Sequence, residues 1–234
     1  MIQESEAAAL ALMEVTELYA GYGACEPVVR DLSFRLGKGE TLGLCGPSGC
    51  GKTTVIWAIL GMLGRYGGYA GGSAIYQGKN LLALTDRQWR PLRWNEIALV
   101  PQSSMSALNP VYTVRRTFIE TLRTHGAYGV GAEDRINGLL DMAGLDTRIL
   151  KQYPHELSGG MRQRVSIALS MLLGPNVLIL DEPTSGLDVV VEADILKLIR
   201  DMQKERGFGI LFVSHDRRIT GEFCHRRINF ELRH

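Results

Sequence analysis

The 234-residue chain has little that would tie it to a membrane, a metal or a nucleic acid through its own composition. Its longest apolar stretch, Val165 to Leu180, is shorter than the roughly 20 residues that span a bilayer, and Gly174-Pro175 interrupts it. It reads as a buried helix, a turn and a buried strand, so any membrane role must come through a partner. Cys25, Cys45, Cys50 and Cys224 are scattered without metal-ligand spacing and read as reduced thiols. A net charge of +1 gives no electrostatic footprint for nucleic acid or an acidic membrane surface. No internal repeat or low-complexity segment stands out. The start, Met1-Ile2-Gln3-Glu4-Ser5-Glu6, is acidic where a secretory signal would be basic, so none is expected.

What is present suits a globular protein with a sizeable core. Hydrophobic residues make up 45% and charged residues 22%, which is ordinary. The length exceeds the usual domain of about 100–150 residues but fits one α/β domain over 1–234 with an inserted subdomain. Strand-like runs from Leu12 to Leu36, broken by Gly and Pro, suggest a small antiparallel β layer. Thr41 to Cys45 is a short apolar strand, and Thr54 to Leu63 should be the helix after it. Ile97 to Val100 is a further strand, delivering Pro101-Gln102. Between about 103 and 157 the pattern turns helical, over Val114–Leu122, Asp134–Met142 and Arg148–Tyr153. Val177–Leu180 and Ile210–Val213 are continuous apolar runs, as central parallel strands covered on both faces require. Val189 to Glu205 reads as the crossover helix between them. The expected fold is α/β: a P-loop core with a mostly parallel sheet, an N-terminal antiparallel layer and a helical insert.

The first chemistry lies between the Thr41–Cys45 strand and its helix. Gly46-Pro47-Ser48-Gly49-Cys50-Gly51-Lys52-Thr53 fits G-x-x-x-x-G-K-[ST]. Backbone N–H groups must point inward at phosphate oxygens, and Gly46, Gly49 and Gly51 permit that approach. The helix presents its positive N-terminal end to the anion. Lys52 should reach the β- and γ-phosphates, and the Thr53 hydroxyl should ligate Mg²⁺. Cys50 sits inside the loop, where alkylation could block the nucleotide. The second chemistry is Asp181-Glu182, at the end of a buried strand. Asp181 is expected to hold Mg²⁺ through water, and Glu182 to polarise the attacking water. A second glycine-bearing turn, Leu157-Ser158-Gly159-Gly160, lies upstream. Two phosphate-handling turns in this order suggest that two copies of such a chain close around ATP.

These residues resemble the ATP-binding cassette (ABC) ATPases, over nearly the whole chain. The signature segment is Leu157-Ser158-Gly159-Gly160-Met161-Arg162-Gln163-Arg164. Pro183-Thr184-Ser185-Gly186-Leu187-Asp188 is similar to the family's D-loop, Ser214-His215-Asp216 to its switch histidine, and Gln102 to its Q-loop glutamine. The resemblance implies ATP and Mg²⁺, and it adds Ser48, Cys50 and Thr54 to the nucleotide-binding set. It implies that Ser158 and the Gly159 and Gly160 amides cap the γ-phosphate held by the other subunit's P-loop. His215 would contact the γ-phosphate and hold Glu182 and water in line. Gln102 would ligate Mg²⁺ and sense the transport partner. Asp188 would communicate across the dimer. Tyr22 resembles the aromatic that stacks on adenine, with Tyr19 as the competing candidate.

Shorter segments, Ser104–Val111, Tyr153–Arg164 with Met161, and Leu187–Ala193, are similar to the dipeptide, oligopeptide and nickel importer branch. That branch implies an ATP-hydrolysing importer subunit, for peptides or for nickel and other metal chelates. Its partners would be a homodimeric or sister ATPase copy, two membrane permease subunits and a solute-binding protein. The protein would sit peripherally on the cytoplasmic face of the cell membrane. The rivals are an exporter ATPase, a non-transport ABC ATPase and a non-hydrolysing subunit; intact Lys52, Glu182 and His215 oppose the last. The chain departs from the branch in two ways. It stops at His234, short for the branch, and His225 in Cys224-His225-Arg226-Arg227-Ile228 replaces an Asp.

Overall fold

The computed structural model describes residues 11–102 and 108–230. The chain divides into two units, one of residues 1–93 and 207–234, the other of residues 94–206. The Ser104–Ala107 part of the importer-like segment lies outside the described residues.

The first unit holds two sheets. Strand β1 (Ala11–Tyr22) pairs antiparallel with β2 (Val29–Gly37) and with β4 (Gly68–Tyr76), and β4 pairs with the short β5 (Lys79–Asn80). Met13, Val15, Leu18 and Ala20 of β1 are buried, and the switch from Val15 to Leu18 marks a bulge. Glu17 takes φ 49° there. Gly72 lies opposite, and a Cβ on it would stand 2.3 Å from the Glu17 carbonyl oxygen, so only glycine fits. Strand β4 was not legible in the sequence, because Gly68, Gly71 and Gly72 mask its alternation.

The second sheet of this unit is parallel. Strand β3 (Thr41–Cys45) lies between β8 (Gly209–Ser214) and β9 (Arg226–Asn229), with Cys45 in register with Ser214 and Asn229. Every residue of β3 and β8 is buried, as the continuous apolar runs required. Helix α1 spans Lys52–Ile59. It starts two residues earlier than expected and ends four earlier. Leu60 closes it and Gly61 turns left-handed at φ +63°, beneath the buried Trp89 indole. Leu63 falls instead in a 3₁₀ turn, Leu63–Tyr66. Among the described residues this unit also holds two short helices, α2 (Asp86–Trp89), with a Thr85/Gln88 capping box, and α7 (Arg217–Phe223).

In the second unit β6 (Ile97–Val100) and β7 (Val177–Asp181) pair in parallel. Between them in the chain come α3 (Val114–Thr124), α4 (Ala132–Met142) and α5 (Gly159–Ser170); α6 (Val189–Arg206) follows β7. Helix α3 buries Val114, Phe118, Ile119 and Leu122, one stripe at helical spacing. Arg148–Tyr153 is not the α-helix expected. Thr147–Lys151 forms a 3₁₀ turn, and Gln152 and Tyr153 are extended. Asp146 caps the turn, and Pro154 excludes its predecessor from the helical region. The apolar run Val165–Leu180 resolves as expected into the end of α5, a turn at Gly174 and the buried β7. No helix among the described residues is long and apolar enough to cross a membrane.

Candidate functional site

The P-loop lies between β3 and α1. Gly49 takes φ +81° and Gly51 φ +102°, so two loop positions need glycine for the backbone alone. Gly46 needs it for space. A Cβ there would stand 2.7 Å from Phe230 Cβ and 2.8 Å from both the Phe230 carbonyl oxygen and Cys50 Sγ. Lys52 opens α1 and is only 5% exposed. Its ammonium donates to the Gly46 carbonyl at 2.7 Å and the Pro47 carbonyl at 2.8 Å, with Cys50 Sγ at 3.9 Å. A buried cation is thus anchored inside the loop, among backbone groups. Ser48 and Gly49 face solvent at the loop's crown, Thr53 is exposed on the first turn of α1, and Thr54 and Cys50 are buried.

The two tyrosines separate by what they touch. The Tyr22 hydroxyl lies 3.4 Å from the Thr54 hydroxyl, beside the start of α1. Tyr19 instead covers Gly71 of β4, where a Cβ would meet its ring at 2.2 Å. Tyr22 is therefore the one next to the P-loop.

His215 follows β8 and is exposed. The parallel register of Cys45 with Ser214, and the Gly46 N–H donated to the Ser214 carbonyl at 3.4 Å, bring it to the same end of the sheet as the loop. Asp216 begins α7, accepting from the Arg218 N–H at 2.7 Å and the Ile219 N–H at 3.3 Å. Burial pushes its carboxyl up, but those two amides and the Arg218 guanidinium outweigh it and hold the carboxyl below its usual value. His225, the departure from Asp, has a structural use that sequence reasoning missed. Its Nδ1 accepts from the Thr41 N–H at 2.9 Å, and its own N–H donates to the Thr41 carbonyl at 2.9 Å, so it pins β9 to β3.

In the other unit Asp181 ends β7, 7% exposed. Glu182 leaves the strand at φ 46°, a left-handed turn that a glutamate rarely adopts. Its Oε2 accepts from Gln102 Nε2 at 3.2 Å. The donor end of the Gln102 amide is thereby taken by the carboxylate, and its oxygen is the end with ligand chemistry. Among the described residues no three His, Cys, Asp or Glu side chains gather as a metal cage. Mg²⁺ needs none: it is usually held by one or two carboxylates with phosphate oxygens and water. Asp181 is a carboxylate of that kind at the end of β7, and Thr53 carries a hydroxyl oxygen at the start of α1, so the chemistry of each donor fits the ion.

The signature turn is a helix start. Ser158 caps α5, its hydroxyl accepting from the Met161 N–H at 3.2 Å. Arg162 ties the preceding strap by donating to the Leu157 carbonyl at 2.9 Å. A Cβ on Gly160 would stand 2.7 Å from Val191 Cγ1 of α6, whereas one on Gly159 would meet only Leu187 Cδ2 at 3.6 Å. Gly160 is thus required by packing within this chain, which the sequence did not foretell. Asp188 is engaged at the start of α6. Its Oδ1 accepts from the Val190 and Val191 N–H groups at 3.1 and 3.0 Å. Lys52, Thr53, Tyr22 and His215 thus belong to the first unit; Gln102, Ser158, Gly159, Gly160, Asp181, Glu182 and Asp188 belong to the second.

Residues 29–185 match the ABC transporter family. A probable peptide ABC transporter ATP-binding protein of Sinorhizobium fredii is 39% identical over 237 aligned positions, covering 97% of this chain and 70% of the relative. The oligopeptide transport ATP-binding protein of Salmonella typhimurium is 37% identical over 219, covering 91% and 65%. The chain spans about two thirds of the length of these relatives. A Clostridium perfringens structure described as part of an ABC transporter complex superposes with TM-score 0.82 at 25% identity, over 95% of this chain and 85% of that one. A dimeric ATP-binding cassette in a post-hydrolysis state, bound to ADP and Pi, superposes with TM-score 0.78 at 25% identity, over 94% of each chain. The chain belongs to the ABC transporter family, among its ATP-binding proteins.

Proposed function

We propose that the chain is the ATP-hydrolysing subunit of an ABC importer for peptides, acting as one cassette domain over residues 1–234. The observation that carries the ATPase reading is the loop itself: a buried Lys52 held among backbone groups at a helix start, behind two left-handed glycines. Inward N–H groups and Lys52 hold a triphosphate by charge and position. Tyr22 stacks on the base. Mg²⁺, when bound, neutralises phosphate charge. Glu182 accepts the proton of the attacking water at its carboxylate, Gln102 fixes that carboxylate, and His215 orients the γ-phosphate. Asp181, Thr53 and Gln102 supply oxygen to the ion. The rest of the loop set, Gly46, Ser48, Gly49, Cys50, Gly51 and Thr54, contacts phosphate or shapes the cradle. Ser158, Gly159 and Gly160 serve the nucleotide of a second ATPase copy, identical or a sister chain, and Asp188 couples the two copies.

The relatives named above are peptide proteins, which favours peptide over nickel as cargo. The remaining partners are two permease subunits and a solute-binding protein, and the chain reaches the cytoplasmic membrane face through the permeases. The test separates binding from turnover. Glu182→Gln keeps shape but removes the proton acceptor, so ATP should bind with unchanged affinity while phosphate release falls by about 10²-fold or more. Lys52→Ala should lose both. Near-wild-type turnover in the Gln variant would overturn the role of Glu182. Uptake of a labelled oligopeptide, set against ⁶³Ni uptake, in cells lacking this chain decides the cargo.

A further inference from the structure

Between β1 and β2 the chain runs through a six-residue connection, residues 23–28, that belongs to no strand or helix. Residues assigned to the nucleotide border it at both ends. Tyr22 precedes it, with its hydroxyl 3.4 Å from that of Thr54 on α1. Val28 is its last residue, and a Cβ on Gly51 of the P-loop would stand 3.0 Å from Val28 Cγ1. The connection is exposed apart from the half-buried Pro27, so burial does little to fix it. Hydrogen bonds have to fix it instead.

Tyr69 of β4 makes one of these bonds. Its hydroxyl donates to the Cys25 carbonyl at 2.6 Å. The reach is possible because Tyr69 pairs in register with Gly21 of β1. A Cβ on Gly21 would stand 2.8 Å from the Tyr69 hydroxyl oxygen and 3.0 Å from its Cζ, so the phenol lies across β1 where a side chain would otherwise be. Cys25 is in turn tied back to Tyr22. Its N–H donates to the Tyr22 carbonyl at 3.3 Å, and Gly23 between them is left-handed at φ 58°. One hydroxyl on β4 therefore holds the far end of the tight turn that starts at Tyr22. The Val28 end is held separately: Arg30 Nε donates to the Pro27 carbonyl at 3.1 Å, and Val29 already belongs to β2. Loosening the Tyr69 bond thus acts first on Tyr22 and not on the P-loop.

We propose that Tyr69 is a positioning residue for the nucleotide base: through the Cys25 carbonyl it sets the turn from which Tyr22 projects. The inference rests on the reading of Tyr22 as the aromatic that stacks on the base. Such a stack contributes about 5- to 150-fold to affinity. The contribution is complete only while ring and base stay in contact, so a Tyr22 that must be ordered on binding loses part of it. Tyr69 is not one of the phosphate- or Mg²⁺-facing residues, so its effect falls on the base alone.

Calorimetry on the full chain with Mg²⁺ compares AMP-PNP, which is not hydrolysed, with tripolyphosphate, which has the phosphates and no base. Tyr22→Ala should lower AMP-PNP affinity by about 5- to 150-fold and leave tripolyphosphate affinity unchanged. Tyr69→Phe keeps the ring over Gly21 and removes only the hydroxyl. It should weaken AMP-PNP by about three- to tenfold, within the loss from Tyr22→Ala, and leave tripolyphosphate unchanged. KM for ATP should rise with kcat unchanged. Tm should stay within about 2 °C, because water can take the freed carbonyl of the exposed Cys25. Gly21→Ala should reproduce the loss by pushing the phenol off Cys25. In a Tyr22→Ala background Tyr69→Phe should add nothing. A merely structural role would weaken both ligands together. The proposal is overturned if Tyr69→Phe leaves AMP-PNP affinity alone, weakens tripolyphosphate as much, or adds in full to Tyr22→Ala. If Tyr22→Ala itself changes nothing, the stacking reading falls and the proposal falls with it.

Discussion

The chain has two glycine turns that look alike in sequence and are unlike in structure. In Gly46–Thr53 the glycines serve the backbone. Gly49 and Gly51 are left-handed, and Gly46 is closed in by the Phe230 backbone and Cys50. In Leu157–Gly160 neither glycine is left-handed, and Gly160 is there because Val191 fills the space a side chain would need. The first turn is a bent cradle around a buried cation. The second is an ordinary capped helix start with an exposed Ser158 as its cap. In the proposed function the first loop surrounds a phosphate and the second is presented to the phosphate of a second copy.

The strongest way to break this contrast is in the cradle. Gly51→Ala forces a side chain into φ +102°, with its Cβ 3.0 Å from Val28 and 3.1 Å from Val29. Strain of this kind costs about 1–3 kcal/mol. ATP affinity should fall by more than tenfold, measured by calorimetry. Gly49→Ala has the same backbone problem but open space, with nothing within 4 Å, and should lose less. Equal losses would mean that packing against Val28 and Val29 does not matter.

Next comes the signature turn. Gly160→Ala meets Val191 at 2.7 Å and should destabilise the fold by about 1–3 kcal/mol. Val191→Ala should relieve much of that, and a denaturant cycle on the two variants reads it. Gly159→Ala has only a 3.6 Å neighbour and should leave stability unchanged. It is therefore the cleaner probe of phosphate contact: with the fold intact and ATP still bound, lost hydrolysis would place the turn at a partner copy's nucleotide. Unchanged hydrolysis would remove the turn from the reaction.

The sequence made the cradle legible because its requirements are local. Glycine angles, a lysine at a helix start and an apolar strand before it all fall within thirteen residues, Thr41–Thr53. The all-buried strands β3, β7 and β8 were legible for the same reason. What escaped depended on distant neighbours. Strand β4 is glycine-rich and becomes a strand only by pairing with β1. Helix α1 stops where Trp89 covers Gly61. Gly160 answers Val191, thirty-one positions on by residue number. His225 looked like a lost aspartate and is an acceptor for the Thr41 N–H. None of these has a local sequence signal, because each is fixed by tertiary packing.

The smallest effects compare the two helix caps beside these turns, Ser158 on α5 and Asp216 on α7. Ser158→Ala removes the acceptor of the Met161 N–H and should cost about 1 kcal/mol at any pH, since a hydroxyl does not titrate in the folded range. Asp216 caps through a charge. Asn caps about as well as Asp, so Asp216→Asn keeps the Arg218 and Ile219 N–H bonds and loses only the carboxylate's attraction for the helix start and the Arg218 guanidinium. After solvent screening that is roughly 0.3 kcal/mol. The folded carboxyl lies below its unfolded value, so its stabilisation is complete above an unfolded value of about 3.9 and is lost as pH falls through the folded one. Wild type should therefore exceed Asp216→Asn by the same small margin from pH 5 upward, and the margin should fade as pH drops below about 4 and through the folded value, in urea melts of both variants. The deficit of Ser158→Ala should stay constant over that window. A margin for Asp216 that persisted undiminished at pH 3 would show that hydrogen-bond geometry rather than charge holds α7 behind His215.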